Sequence, residues 1–175
     1  MLGLLLCLWF APTLGGAQEA TRDDLPPPVQ IMLDAQYPGW NFAPIMDEVR
    51  EFFKKERPGA RANLIAGDFD GDGQTDYAAQ IEHGIILDHN GAPAGHEQHL
   101  LAFMRRQTGY KLYKLTECGT GDHIYLAKKG DGGYDYEKQR EITYERDAIC
   151  TVIWEKGGST YVFEKDHFRC FVSSD

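Results

Sequence analysis

The sequence predicts an α+β fold, with two N-terminal helices followed by an antiparallel β-meander of about nine short strands. Three observations predict it. Apolar residues recur at helical spacing before residue 60, they alternate with period two after it, and turn residues punctuate the second part at short intervals. An aromatic fraction of 12% suits a sheet-based core, and 175 residues suffice for one domain plus a processed leader.

The leader is read from residues 1–18, which carry no charged side chain. Leu2 to Phe10 is almost wholly apolar, Pro12, Gly15 and Gly16 break the run, and Gly15 and Ala17 are the small residues of a cleavage site before Gln18. The run is too short for a bilayer, which needs about 20 apolar residues. The expectation is a signal peptide over 1–17 and a single α+β domain over 18–175, exported to the periplasm or beyond the cell, with no membrane insertion in the mature form. Export permits disulfides. The mature chain keeps Cys118, Cys150 and Cys170, so at most one internal bridge can form, and its connectivity is open.

Pro28 can open the first helix, because it lacks an amide hydrogen that would be orphaned there anyway. Val29, Met32, Leu33 and Gln36 follow at helical spacing until Pro38 and Gly39 stop it. The second helix is expected over 44–56, where Ile45, Val49, Phe52 and Phe53 form one apolar stripe suited to covering a sheet. Glu51 and Lys55 sit four apart in the favourable orientation, and Pro58-Gly59 end the helix. Its polar face holds Asp47, Glu48, Glu51 and Glu56, which an anionic membrane would repel.

Strand-like runs then appear at about 61–67, 76–83, 99–107, 110–117, 123–128, 140–145, 148–155, 159–164 and 167–172. In the second, Tyr77, Ala79 and Ile81 alternate with Ala78, Gln80 and Glu82, as a half-buried strand requires. Thr108-Gly109, Gly130-Asp131-Gly132-Gly133 and Gly157-Gly158 supply turns, and one longer loop is expected over 84–98. The formal net charge of -9 argues against a nucleic-acid backbone or an anionic membrane as partner, since no counterion release would drive such binding.

The segment Gly67-Asp68-Phe69-Asp70-Gly71-Asp72-Gly73-Gln74-Thr75-Asp76 carries the chemistry. Asp68, Asp70, Asp72 and Asp76 put four carboxylates within nine residues, at odd positions that can converge on one cation, and Gln74 can add its backbone carbonyl. Gly73 allows the sharp turn. Oxygen donors at this density select Ca2+ over zinc or copper, and without a cation the carboxylates would repel one another. The loop is not an EF-hand: its twelfth position is Ala79 instead of Glu, and strand-like runs flank it.

The pattern Gly-Asp-Phe-Asp-Gly-Asp-Gly-x-x-Asp-Tyr-Ala resembles the calcium hairpin of FG-GAP and VCBS-type repeats. The resemblance covers about residues 62–82 and implies a calcium-binding hairpin there, with Ca2+ at Asp68, Asp70, Asp72, Gln74 and Asp76. This chain has a single copy, so it is propeller-blade-like without being a propeller, which typically needs 4–8 blades. Tyr37-Pro38-Gly39-Trp40 upstream, with Phe168 and Ser174-Asp175 at the end, is similar to small exported bacterial proteins that carry one such hairpin and have no assigned function.

Other candidates are weaker. His96 and His99 flank Glu97, but they are three apart on a strand-like run and so face opposite ways, unlike a zinc pair four apart on a helix. Arg105-Arg106 and Lys128-Lys129 read as solvated basic pairs. Trp40, Tyr110, Tyr113, Tyr125, Tyr134, Tyr136, Trp154 and Tyr161 can line a glycan platform or, more ordinarily for strand aromatics, pack in the core. No catalytic residue is assigned. The expectation is an exported calcium-binding protein, a non-catalytic binding or accessory module with a protein or glycan partner. The alternatives are a metal-assisted hydrolase and an inhibitor-like protein acting through loop 84–98.

Overall fold

The computed structural model describes residues 19–117 and 119–174. The expected signal peptide over 1–17 and Cys118 lie outside these described residues. In chain order the elements are α1 (Pro27–Gln36), β1 (Asn41–Phe42), α2 (Asp47–Glu56), β2 (Leu64–Gly67), β3 (Asp76–Leu87), β4 (Pro93–Arg106), β5 (Gly109–Leu115), β6 (His123–Ala127), β7 (Gly132–Asp135), β8 (Arg140–Thr143), β9 (Ala148–Ile153), β10 (Gly157–Glu164) and β11 (His167–Ser174). The protein is thus mostly antiparallel sheet with two short α-helices, as the change of hydrophobic period predicts. Among the described residues, no helix is long and apolar enough to cross a membrane.

Both helices follow their apolar faces. Val29 and Leu33, one turn apart on α1, are fully buried against Ala79, Ile81, Leu101 and Phe103 of the first sheet. Helix α2 starts at Asp47, three residues after Pro44, because Met46 is extended and Ile45 is already buried in the approach to the helix. Its first turn carries Asp47 and Glu48 and its last turn Lys54 and Lys55, so the charges complement the helix dipole. Val49 and Phe53 pack with Ile45 and Ala62, and with Phe52, Tyr125 and Trp154 at the margin.

Strands β1, β3, β4 and β5 form the first sheet in that order, and β2 pairs with β3. Leu64 lies opposite Ala79 and Gly67 opposite Asp76, so the hairpin expected around the acidic segment is present. The second sheet has the order β11-β10-β9-β6. The sheets face each other across one core, in which Ala78, Leu100, Ala102 and Met104 meet Ile124, Ile149, Tyr161 and Phe163. The ribbon β7–β8 covers the outer face of the second sheet through Ile142 and Tyr144.

Two expectations need correction. The segment 84–98 is not a loop. It continues β3 and β4 as a projecting two-stranded arm, with Ile86 opposite Gly95 and a turn in which Asp88 accepts the Asn90 and Ala92 amides. All of its residues are exposed, so no burial alternation marks it as strand. Residues Gly132 and Gly133 belong to β7 instead of a turn. Gly133 packs where a Cβ would lie 2.6 Å from the Tyr144 hydroxyl, which is why a strand tolerates glycine there.

Candidate metal site

The β2–β3 connection is fixed from both ends. At Gly67 a Cβ would lie 2.9 Å from Asp147 Oδ2, Leu126 and Phe69, so only glycine lets the strand end approach the second sheet this closely. Phe69 is then fully buried between the sheets, with its ring 6.4 Å from that of Phe168. Anchoring Phe69 inward turns its neighbours Asp68 and Asp70 the other way. Gly73, at φ +82°, supplies the left-handed turn that returns the chain to β3.

The outcome is a trio. Ligand-capable oxygens of Asp68, Asp70 and Asp76 all lie within 4.8 Å of one another, and among the described residues this is the one such grouping of His, Cys, Asp or Glu. Asp76 is fully buried; its Oδ1 accepts the Arg105 amide at 2.7 Å and its Oδ2 the Phe69 amide at 2.9 Å. Asp68 Oδ2 accepts the Gly73 amide at 3.0 Å, while Asp68 Oδ1 is buried with no hydrogen-bond partner among the described residues. Asp70, 13% exposed, accepts the Asp72 amide at 3.2 Å and the Arg106 guanidinium at 2.7 Å.

Asp72 and Gln74 fall outside the trio. Asp72 Oδ1 accepts the Gln74 amide at 2.8 Å and Oδ2 accepts Gln74 Nε2 at 2.9 Å, at the exposed rim of the loop. The Gln74 amide bond holds the Asp72 carboxyl below its ordinary range, against a smaller opposing effect of burial. Asp76 behaves in the opposite sense. Burial pushes its carboxyl up to about 6, the Arg105 and Phe69 amides resist, and the charges of Asp70 and Asp72 push it further. A cation between the three carboxylates would offset the desolvation and repulsion that raise Asp76, and would give Asp68 Oδ1 a partner. The donors are oxygen only, which fits a hard cation.

Two residues of this neighbourhood escaped the sequence reading. Arg106, expected to be solvated, is ion-paired to Asp70. A signal for it existed in Asn90-Gly91. Folding the chain at that turn brings Phe103 opposite Tyr77, equidistant from residue 90, and so sets Arg105 and Arg106 beside Asp76. Asp147, in the connection that leads into β9, accepts the Asp68 amide at 3.1 Å, the Lys129 amide at 3.0 Å and the Lys128 ammonium at 3.1 Å. Burial tends to raise the Asp147 carboxyl, but these donors outweigh it and hold it below the ordinary range. No local pattern marks Asp147, since its contact with Asp68 depends on how the sheets pack.

The remaining candidates are dispersed. His99 is buried, with Nε2 3.6 Å from Glu97, whereas His96 is exposed and its Nδ1 meets the Gly84 carbonyl. The aromatic residues form no common platform. Trp40 packs under α1, Tyr161 lies between the sheets, Tyr113 meets Phe163 and Phe168, and Tyr134 meets Tyr136 edge to face. Cys150 is a free, buried thiol that burial pushes up, and Cys170 is disulfide-bonded. No family model matches the chain, and no curated protein or solved structure matches it either.

Proposed function

We propose that the chain is an exported calcium-binding protein, a non-catalytic binding or accessory module in which Ca2+ staples the β2–β3 hairpin of an FG-GAP/VCBS type. The observation that carries the reading is the convergence of Asp68, Asp70 and Asp76, together with a buried Asp68 oxygen that has no hydrogen-bond partner among the described residues. Asp72 and Gln74, already at the loop rim, complete the shell by turning inward from their mutual bonds. The disulfide at Cys170 supports an oxidising compartment. The test is isothermal titration with Ca2+ of protein stripped by chelator, alongside the Asp70→Ala variant. The expected dissociation constant is about 0.1–1 mM, as in extracellular modules. No heat and no stoichiometry near one would overturn the reading.

One observation favours a second reading, in which the partner is engaged by insertion into its cleft. The projecting arm presents Ile85, Ile86 and Leu87 at 63%, 48% and 58% exposure, three consecutive apolar side chains outside any core. Stoichiometric inhibition of an exported hydrolase, abolished by replacing Ile85 and Leu87 with Thr, would support it. Inhibition unchanged by that replacement would remove the arm from consideration.

A further inference from the structure

A cleft of about 460 Å³ opens between the end of α2, strand β2 and strand β6, and its chemistry is opposite to that of the acidic loop. Arg57 lies over the face of Tyr125, its guanidinium carbon 4.3 Å from the ring centroid. Tyr125 lines the cleft and gives Arg57 its ring face. The second arginine of the cleft, Arg61, is paired with Asp24. Arg57 has no such carboxylate among the described residues, although the chain carries a net charge of -9. Arg57 is half-buried, and a guanidinium placed over an aromatic face without a carboxylate partner retains N–H donors for a bidentate anion.

The other walls are apolar or strand backbone. Tyr77, Leu64 and Leu126 supply the apolar surface. The Ala62 carbonyl accepts the Ile124 amide at 2.8 Å, and the Asp68 amide is taken by Asp147 at 3.1 Å. By the two-residue alternation of a strand, the outward amides and carbonyls between these points belong to Leu64 and Ala66, and both residues line the cleft. A bare inorganic anion would gain nothing from the apolar walls. A neutral apolar molecule would leave the Arg57 fork without an acceptor.

We propose that this cleft binds a small carboxylate with an apolar body, its carboxylate on Arg57 and its body between Tyr77, Leu64 and Leu126. The volume suits a compact ligand of that kind. The site shares no residue with the carboxylate trio and does not rest on the calcium reading.

The test is a titration of isotope-labelled protein at neutral pH with 3-phenylpropionate, and with 3-phenylpropionamide as its neutral counterpart. It is read from the backbone amide shifts of Leu64, Ala66, Tyr77 and Leu126. Saturable shifts are expected with the acid, about tenfold weaker binding with the amide, and about a tenfold loss with Arg57→Met, the size of one charge-assisted contact. Arg140→Met, remote from the cleft, should bind as the parent does. If Arg57→Met fails to fold, Arg57→Lys keeps the charge without the planar fork and must still weaken binding. Equal binding of acid and amide, an unchanged affinity in the Arg57 variants, or shifts that never saturate would each overturn the proposal.

Discussion

Asp70 holds two partners at once, the Asp72 amide and the Arg106 guanidinium, and a cation would be a third. Replacing Asp70 by Ala should abolish any calcium-dependent rise in melting temperature, whereas replacing the exposed His96 should leave that rise intact; paired melting curves with calcium and with chelator check both. His123 poses a different problem. It is 3% exposed, its Nδ1 has no hydrogen-bond partner among the described residues, and Phe52, Phe53 and Trp154 surround it. Burial pushes its imidazole down to about 4, with Arg57 adding to the shift and Asp122 opposing it. The unfolded chain therefore takes up a proton near pH 6.5 that the folded chain refuses until about 4. Stability should be full above pH 6.5 and fall on acidification toward pH 4, by roughly 2–3 kcal/mol from this residue. Asp76 titrates in the same window with the opposite sign, since its raised carboxyl favours the protonated folded state. The comparison that isolates His123 is urea unfolding of the parent and of His123→Phe at pH 7 and pH 4.5. The variant should lose less stability between the two.

At the scale of elements, the β2–β3 hairpin and the β3–β4 arm differ in what holds them. The hairpin is tied by Phe69 in the core and by a glycine at φ +82°. A Cβ at Gly73 meets nothing within 4 Å, so the cost of Gly73→Ala is conformational alone, about 1–2 kcal/mol. Chemical denaturation in chelator should show that loss. The arm beyond His99 has no core contact, and its apolar residues are exposed. Replacing Ile85 and Leu87 with Thr should leave unfolding free energy within about 0.5 kcal/mol of the parent. A larger loss would mean that the arm is folded back onto the domain.

At the scale of the molecule, the two sheets meet at the acidic loop, because Phe69 enters their shared core and Asp147, just before β9, reaches back to the Asp68 amide. Calcium that binds only the folded arrangement stabilises the whole domain by mass action, by about 2.7 kcal/mol at a hundredfold excess over its dissociation constant. Magnesium should substitute poorly, since it demands a tighter octahedron and keeps its waters. Melting curves in calcium, magnesium and chelator measure this, and three superimposed curves would leave the loop merely acidic. Reduction of the disulfide at Cys170 should lower the melting point independently, by the equivalent of about 2–4 kcal/mol.

The sequence by itself determined the two helices, the hairpin around Asp68 to Asp76 and most of the strands after it, because hydrophobic period and turn chemistry are local, but not the exposed arm over 84–98 or the glycine-bearing β7. It also marked the cluster of acidic residues, since their spacing lies within one turn of chain. Only the tertiary structure decided which carboxylates converge. Burying Phe69 orients Asp68 and Asp70 toward Asp76, while Asp72 and Gln74 satisfy each other at the rim. It alone placed Arg106 and Asp147 at the loop and Arg57 over Tyr125. These meetings depend on strand register and on sheet-to-sheet packing, which join residues far apart in sequence and leave no periodic trace in it.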